Sequence, residues 1–212
     1  MNNVIPQHNP VLLVHGIFDT GRVFHSMVPY LKQRGLTVYD LDLVPNDGNA
    51  ALDQLAEQVA DYINATFSPE QPLDLVGFSM GGIVSRYYVQ RLGGINRVQR
   101  FITLSAPNHG TWLAYFRQGL GCVQMRPNSA LLHDLNRHAS MLQQIHFTSI
   151  WTPYDLMILP ANSSQMPVGR NVIVPVLTHA GMLTDSRSLA AVAAALRPFG
   201  EVKSRQSPHT NN

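Results

Sequence analysis

Cysteine is almost missing: Cys122 stands alone in 212 residues. One cysteine excludes an intramolecular disulfide and a multi-cysteine metal site, and it is expected as a small buried apolar side chain. Charge is sparse too. Charged residues make up 13% of the chain against 45% hydrophobic ones, which excludes a disordered or solvating chain. The formal charge is only +2, with no cluster of five or more Lys and Arg, so the footprint of a nucleic-acid-binding surface is missing. No apolar run reaches the ~18 residues that span a bilayer. The first residues show neither the charged start nor the long apolar segment of a secretory signal, and a soluble, cytoplasmic monomer is the expectation. No metal-ligand spacing stands out, and no cofactor is implied.

What is present alternates. Short β-branched or leucine-rich runs at Val11 to Val14, Thr37 to Leu43, Leu73 to Gly77, Phe101 to Leu104, Ser149 to Trp151 and Val172 to Leu177 are separated by helical patterns. Those helices are expected at Val23 to Arg34, Ala50 to Thr66, Gly82 to Leu92 and Ser188 to Leu196. Several runs are apolar on both faces, as strands covered by helices on both sides should be. The pattern predicts an α/β fold: a three-layer sandwich with a mostly parallel sheet of about six strands. The length suits a single domain, 1–212, because one core rarely grows past about 250 residues. Residues 111–146 interrupt the alternation and read as a helical, cap-like insertion, and the tail 203–212 reads as unstructured.

The chemistry concentrates at Gly77-Phe78-Ser79-Met80-Gly81. Gly-x-Ser-x-Gly by itself is weak, since a shuffled chain of this composition would carry about 0.07 matches. Its setting decides. An apolar strand runs in and a helical pattern runs out, the strand-turn-helix context of a nucleophile elbow. A serine on so sharp a turn brings strand and helix together, and side chains two residues either side would collide. Gly77 and Gly81 remove that collision, and Ser79 becomes the candidate nucleophile.

An acyl-transfer site also needs two N–H donors aimed at the oxyanion, one after the nucleophile and one from a loop after an early strand. Met80 supplies the first. Val14-His15-Gly16-Ile17-Phe18 supplies the second, from Ile17 or alternatively Phe18. His15, at a strand end before glycine, reads as a brace for that loop. The base and its orienting acid should follow the nucleophile in the order Asp then His. His179 fits as base because it follows a predicted strand directly, whereas His109 reads as a loop histidine bordering the pocket. Asp155 precedes it by one strand; Asp134 falls in the insertion and Asp185 comes after the histidine. For substrate contacts the candidates are Phe18, Trp112, Phe116 and Met182.

These motifs carry a resemblance. Val-His-Gly-Ile at 14–17, Gly-Phe-Ser-Met-Gly-Gly at 77–82, Ser-Ala-Pro-Asn-His-Gly-Thr at 105–111, Pro-Asn-Ser-Ala-Leu-Leu-His-Asp-Leu-Asn at 127–136, Tyr-Asp at 154–155 and Thr-His-Ala-Gly-Met-Leu at 178–183 make the chain similar to the small bacterial lipases of the α/β-hydrolase superfamily. The resemblance covers most of the chain. It implies a Ser79-Asp155-His179 triad, an Ile17 and Met80 oxyanion hole, and hydrolysis of acylglycerols or similar lipid esters. An acyltransferase or thioesterase using the same triad is the alternative, and a non-catalytic binding protein a more distant one. The expected partner is a lipid or small ester, with at most transient contact with a lipid surface. Unlike many secreted lipases, the chain shows no disulfide pair and no convincing carboxylate or histidine cluster for a metal.

Overall fold

The structure is a computed structural model that describes residues 8–197; the tail expected at 203–212 lies outside the described residues. β1 (Val11–Val14) is buried along its whole length. Its side chains part by the two-residue repeat of a strand: Leu12 and Val14 enter one core, Val11 and Leu13 the other. β3 (Leu73–Phe78) divides likewise, with Leu73 and Leu75 on one face and Val76 and Phe78 on the other. With β2 (Val38–Leu41), β4 (Val98–Leu104), β5 (His146–Trp151) and β6 (Arg170–Ile173) they form a parallel sheet of order β2-β1-β3-β4-β5-β6.

Helices cover both faces. α1 (Met27–Lys32) and α6 (Ser186–Ala195) contribute Met27, Leu31, Leu189 and Val192 to one core. α2 (Leu52–Thr66) and α3 (Met80–Arg91) close the other. The α2 stripe of Leu52, Leu55, Val59 and Ile63 is fully buried, and each such side chain stabilises the fold by about 1.5–3 kcal/mol. The three-layer sandwich and its six parallel strands match the pattern read from sequence. Among the described residues, no helix is long and apolar enough to cross a membrane.

Several boundaries move, for local reasons. The helix expected over Val23 to Arg34 is a 3₁₀ turn at Gly21–Phe24 followed by α1. Pro29 sits in the first turn of α1, and its ring would clash with the carbonyl of His25 if the helix ran on backwards. The strand expected at Val172 to Leu177 is β6, ending at Ile173. Pro175 has no N–H to give to a ladder, although Val174 and Val176 remain buried in the core. α3 starts two residues earlier than expected, directly after Ser79.

The insertion holds a 3₁₀ turn at Trp112–Phe116, then α4 (Leu120–Gln124), α5 (Ala130–Arg137) and a second 3₁₀ turn at Ala139–Gln144. Ala114, Cys122, Met125, Leu132 and Leu135 belong to the same core as α2 and α3. The sheet order reverses between β1 and β3. In open α/β sheets the crevice beyond the carboxyl ends of the strands at such a reversal is where ligands bind. The loop starting at His15 leaves β1 there, and Ser79 leaves β3 there.

Candidate active site

Ser79 occupies the turn between β3 and α3 with φ 53° and ψ −124°, a conformation that costs a non-glycine residue on the order of 1–3 kcal/mol. The surroundings hold it there. Its amide donates to the Leu104 carbonyl at 2.9 Å, and its carbonyl accepts from the Gly82 amide at 3.0 Å. A Cβ on Gly77 would lie 2.6 Å from the Gly81 carbonyl oxygen, and one on Gly81 would meet the Val14 and His15 carbonyls. The first glycine therefore clears the helix start, and the second clears the end of β1.

Met80 is the first residue of α3, so its N–H lies at the positive end of the helix dipole. Neither it nor the Ile17 N–H has a hydrogen-bond acceptor among the described residues. Phe18, the alternative donor, is spent: its amide donates to the Asn46 carbonyl at 2.7 Å. His15 is spent as well. Its Nδ1 donates to the Gly16 carbonyl at 2.8 Å, and its Nε2 accepts from the Leu43 amide at 2.9 Å. It braces the loop and has no nitrogen left for a base.

Asp155 and His179 meet across the ends of β5 and β6. Oδ2 of Asp155 accepts from His179 Nδ1 at 2.7 Å, and Oδ1 accepts from the Met157 and Ile158 amides at 2.9 and 3.0 Å. Burial would push this carboxyl up, but the His179 ring and the two amides outweigh it and hold it below the ordinary carboxylate range. With the proton on Nδ1, Nε2 is the basic nitrogen. The imidazole lies against Phe78, whose ring centre is 4.7 Å from its own, which sets it beside the elbow. Ser79 Oγ and His179 make no direct hydrogen bond in this structure; such contacts commonly tighten only with substrate in place. His109 is exposed and donates to the Ser163 carbonyl at 3.2 Å.

A cavity of about 240 Å³ opens on Ser79. Its walls include Ile17, Phe18, Phe116, Cys122, Met125 and Ile158. Two expected substrate contacts fall outside it. Trp112 is 58% exposed and stacks on Tyr115. Met182 is fully buried in the α1/α6 core, because the 3₁₀ turn after His179 carries its side chain inward. A wider, polar depression near Asp40, Asp42 and Asp61 lies apart from this site. Among the described residues, no group of three or more His, Cys, Asp or Glu is placed to hold a metal ion.

Sequence reasoning missed Arg86. On α3 it is fully buried, and its guanidinium donates to the Asn108 carbonyl and Oδ1, to Asn136 Oδ1 and to Gln90 Oε1, at 3.0–3.3 Å, without an acid. Burial, with the Arg91 charge, pulls its pKa down to about 9, so it is still a cation at neutral pH. It ties α3 to the β4 loop and to α5. Thr111 performs a similar service on the other side: its hydroxyl donates to the Met157 carbonyl and accepts from the Leu159 amide, both at 2.9 Å, which fixes the insertion to the Asp155 loop.

Comparison with known proteins agrees with this fold. Residues 9–183 match the family described as alpha/beta hydrolase fold. Human lysosomal thioesterase PPT2 is 33% identical over 111 residues, which are 50% of this chain and 36% of that protein. The triacylglycerol lipase of Pseudomonas fragi is 29% identical over 120 residues, 54% of this chain and 40% of the lipase. The matched stretches are thus well under half of either relative's length. The crystal structure of mature Bacillus licheniformis lipase BlEst2 superposes with a TM-score of 0.74 at 14% identity, covering 91% of this chain and 94% of that one. That likeness is one of fold.

Proposed function

Because the chain belongs to the α/β-hydrolase fold family, we propose that it is a carboxylic-ester hydrolase that cleaves acylglycerols or similar lipid esters through Ser79, His179 and Asp155. One observation carries the reading: the strained Ser79 opens on a cavity walled by aliphatic and aromatic side chains, which suits an acyl chain. His179 Nε2 takes the Ser79 proton as Oγ attacks the ester carbonyl. The Ile17 and Met80 amides receive the oxyanion, each worth about 3 kcal/mol in such sites. The imidazolium, held by Asp155, then protonates the departing alcohol. Water cleaves the acyl-enzyme by the same route.

Exposed Phe116, Leu156 and Leu177, at 83%, 74% and 73% exposure, favour brief contact with a lipid surface. A thioesterase is the second reading, and what favours it is the stretch shared with lysosomal thioesterases. The test is hydrolysis of paired esters and thioesters carrying the same acyl group, by the wild type and by Ser79→Ala. Ester turnover abolished in a Ser79→Ala variant that stays folded is the expected result. Faster cleavage of the thioester of each pair moves the reading to thioesterase, and turnover that survives Ser79→Ala sinks both. A fluorophosphonate probe that leaves the wild type unlabelled points to a non-catalytic binding protein.

A further inference from the structure

Asp19 is half-buried, yet its carboxylate has no hydrogen bond or ion pair with any described residue. Its place is unusual for an idle acid. A Cβ on Gly16 would have three neighbours: Ser79 Cβ at 3.1 Å, an Asp19 carboxylate oxygen at 3.3 Å and a Phe78 ring carbon at 3.3 Å. Phe78 in turn packs on the His179 ring. Asp19, the nucleophile and the base therefore share one corner. Burial pushes the Asp19 carboxyl up, while the nearby His15 and His179 pull it down.

Asp19 is not part of the wall of the acyl cavity. With the acyl chain in that cavity, the other half of the ester must lie on the His179 side, because His179 has to protonate the departing oxygen. That half then faces Asp19. A partly desolvated carboxylate with unspent acceptor sites binds best to a hydroxyl donor, in a charge-assisted hydrogen bond.

Resting on the ester-hydrolase reading above, we propose that Asp19 is a specificity residue that accepts a hydrogen bond from a free hydroxyl on the alcohol half of the substrate. The preferred esters are then those of polyols, such as partial glycerides, and not those of simple alkanols.

The test compares kcat/KM for glyceryl monobutyrate, ethyl butyrate and butyrylcholine, all soluble and acyl-matched, on wild type, Asp19→Asn and Asp19→Ala. In the wild type the glyceride is expected to exceed the ethyl ester by about tenfold, the worth of one charge-assisted hydrogen bond. That ratio should shrink in Asp19→Asn and approach one in Asp19→Ala. Equal wild-type rates on glyceride and ethyl ester overturn the proposal, and this holds even if neither variant folds. A ratio that survives in both variants overturns it too, since a structural or His179-tuning role would slow both esters alike. Preference for butyrylcholine, which carries charge but no donor, shows that charge and not the hydroxyl is read, and also overturns it. Absence of any Ser79-dependent ester hydrolysis counts against the parent reading, which keeps the two failures distinct.

Discussion

Asp155 reaches His179 Nδ1 at 2.7 Å with one oxygen while its other oxygen is held by two backbone amides. The carboxylate is thus fixed before the imidazole is, and the imidazole takes its tautomer and orientation from it. Asp155→Asn should keep the fold and lower kcat by roughly 10⁴-fold, because the amide group presents a donor to Nδ1 and favours the wrong tautomer. Steady-state kinetics beside a circular dichroism spectrum check this; a loss under tenfold would count against the role.

The same carboxyl affects acid stability. Its folded pKa is lowered, so its stabilising contribution is complete above the unfolded value of about 3.9 and is lost as pH falls through the lowered folded value. Asp74 acts in the opposite sense: burial, outweighing its Asn9 and Arg100 partners, raises its carboxyl, so its contribution declines as pH rises through that raised value. Urea midpoints of wild type and Asp155→Asn should therefore keep a constant gap down to about pH 4 and converge only as pH falls below it. A gap that stays constant below that pH would refute the linkage.

Arg86 is held only by neutral oxygens. Arg86→Met leaves Asn108, Asn136 and Gln90 with unmet acceptors and should cost about 2–4 kcal/mol in urea unfolding. Arg86→Lys should recover little of it, because an ammonium cannot reproduce the planar fork. Full recovery in the lysine variant would show that charge, and not geometry, is what the site requires.

The cavity that opens on Ser79, proposed to take the acyl chain, measures about 240 Å³. An engineered cavity of about 150 Å³ accepts benzene, so by proportion this one takes roughly eight to ten carbons. A nitrophenyl ester series from acetate to palmitate should show its kcat/KM optimum there, and Met125→Ala should move the optimum to longer chains. A flat series would mean that the cavity takes no acyl chain.

The elbow was legible because contact distances dictate its letters: only glycine fits at 77 and 81, against the helix start and the end of β1. The three residues proposed as the triad were located by chain order and strand ends, even though β6 stops at Ile173 and a buried connector, not a strand, delivers His179. Phe18 could not be separated from Ile17 in sequence, since the difference lies in a carbonyl 28 residues away, on Asn46. Arg86 was illegible for a similar reason. An arginine on a helix reads as a surface cation until tertiary structure brings Asn108 and Asn136 to it. Met182 was misplaced because one 3₁₀ turn reverses which way a side chain faces, and no periodicity announces that turn.

The insertion shares its core with α3, the helix that follows Ser79. Leu132 and Leu135 are buried with Ile83 and Val84, and Arg86 pins α5 to α3. Swinging the insertion away as a flap would wet that core and strip a buried cation of its ligands, an event close in cost to local unfolding. Admission is left to the rim, where Phe116 stands exposed and the Arg117 guanidinium lies 4.4 Å over the Phe18 ring. Exposed side chains there change rotamer in nanoseconds or less, so the doorway to the proposed site can work much faster than a typical enzymatic turnover.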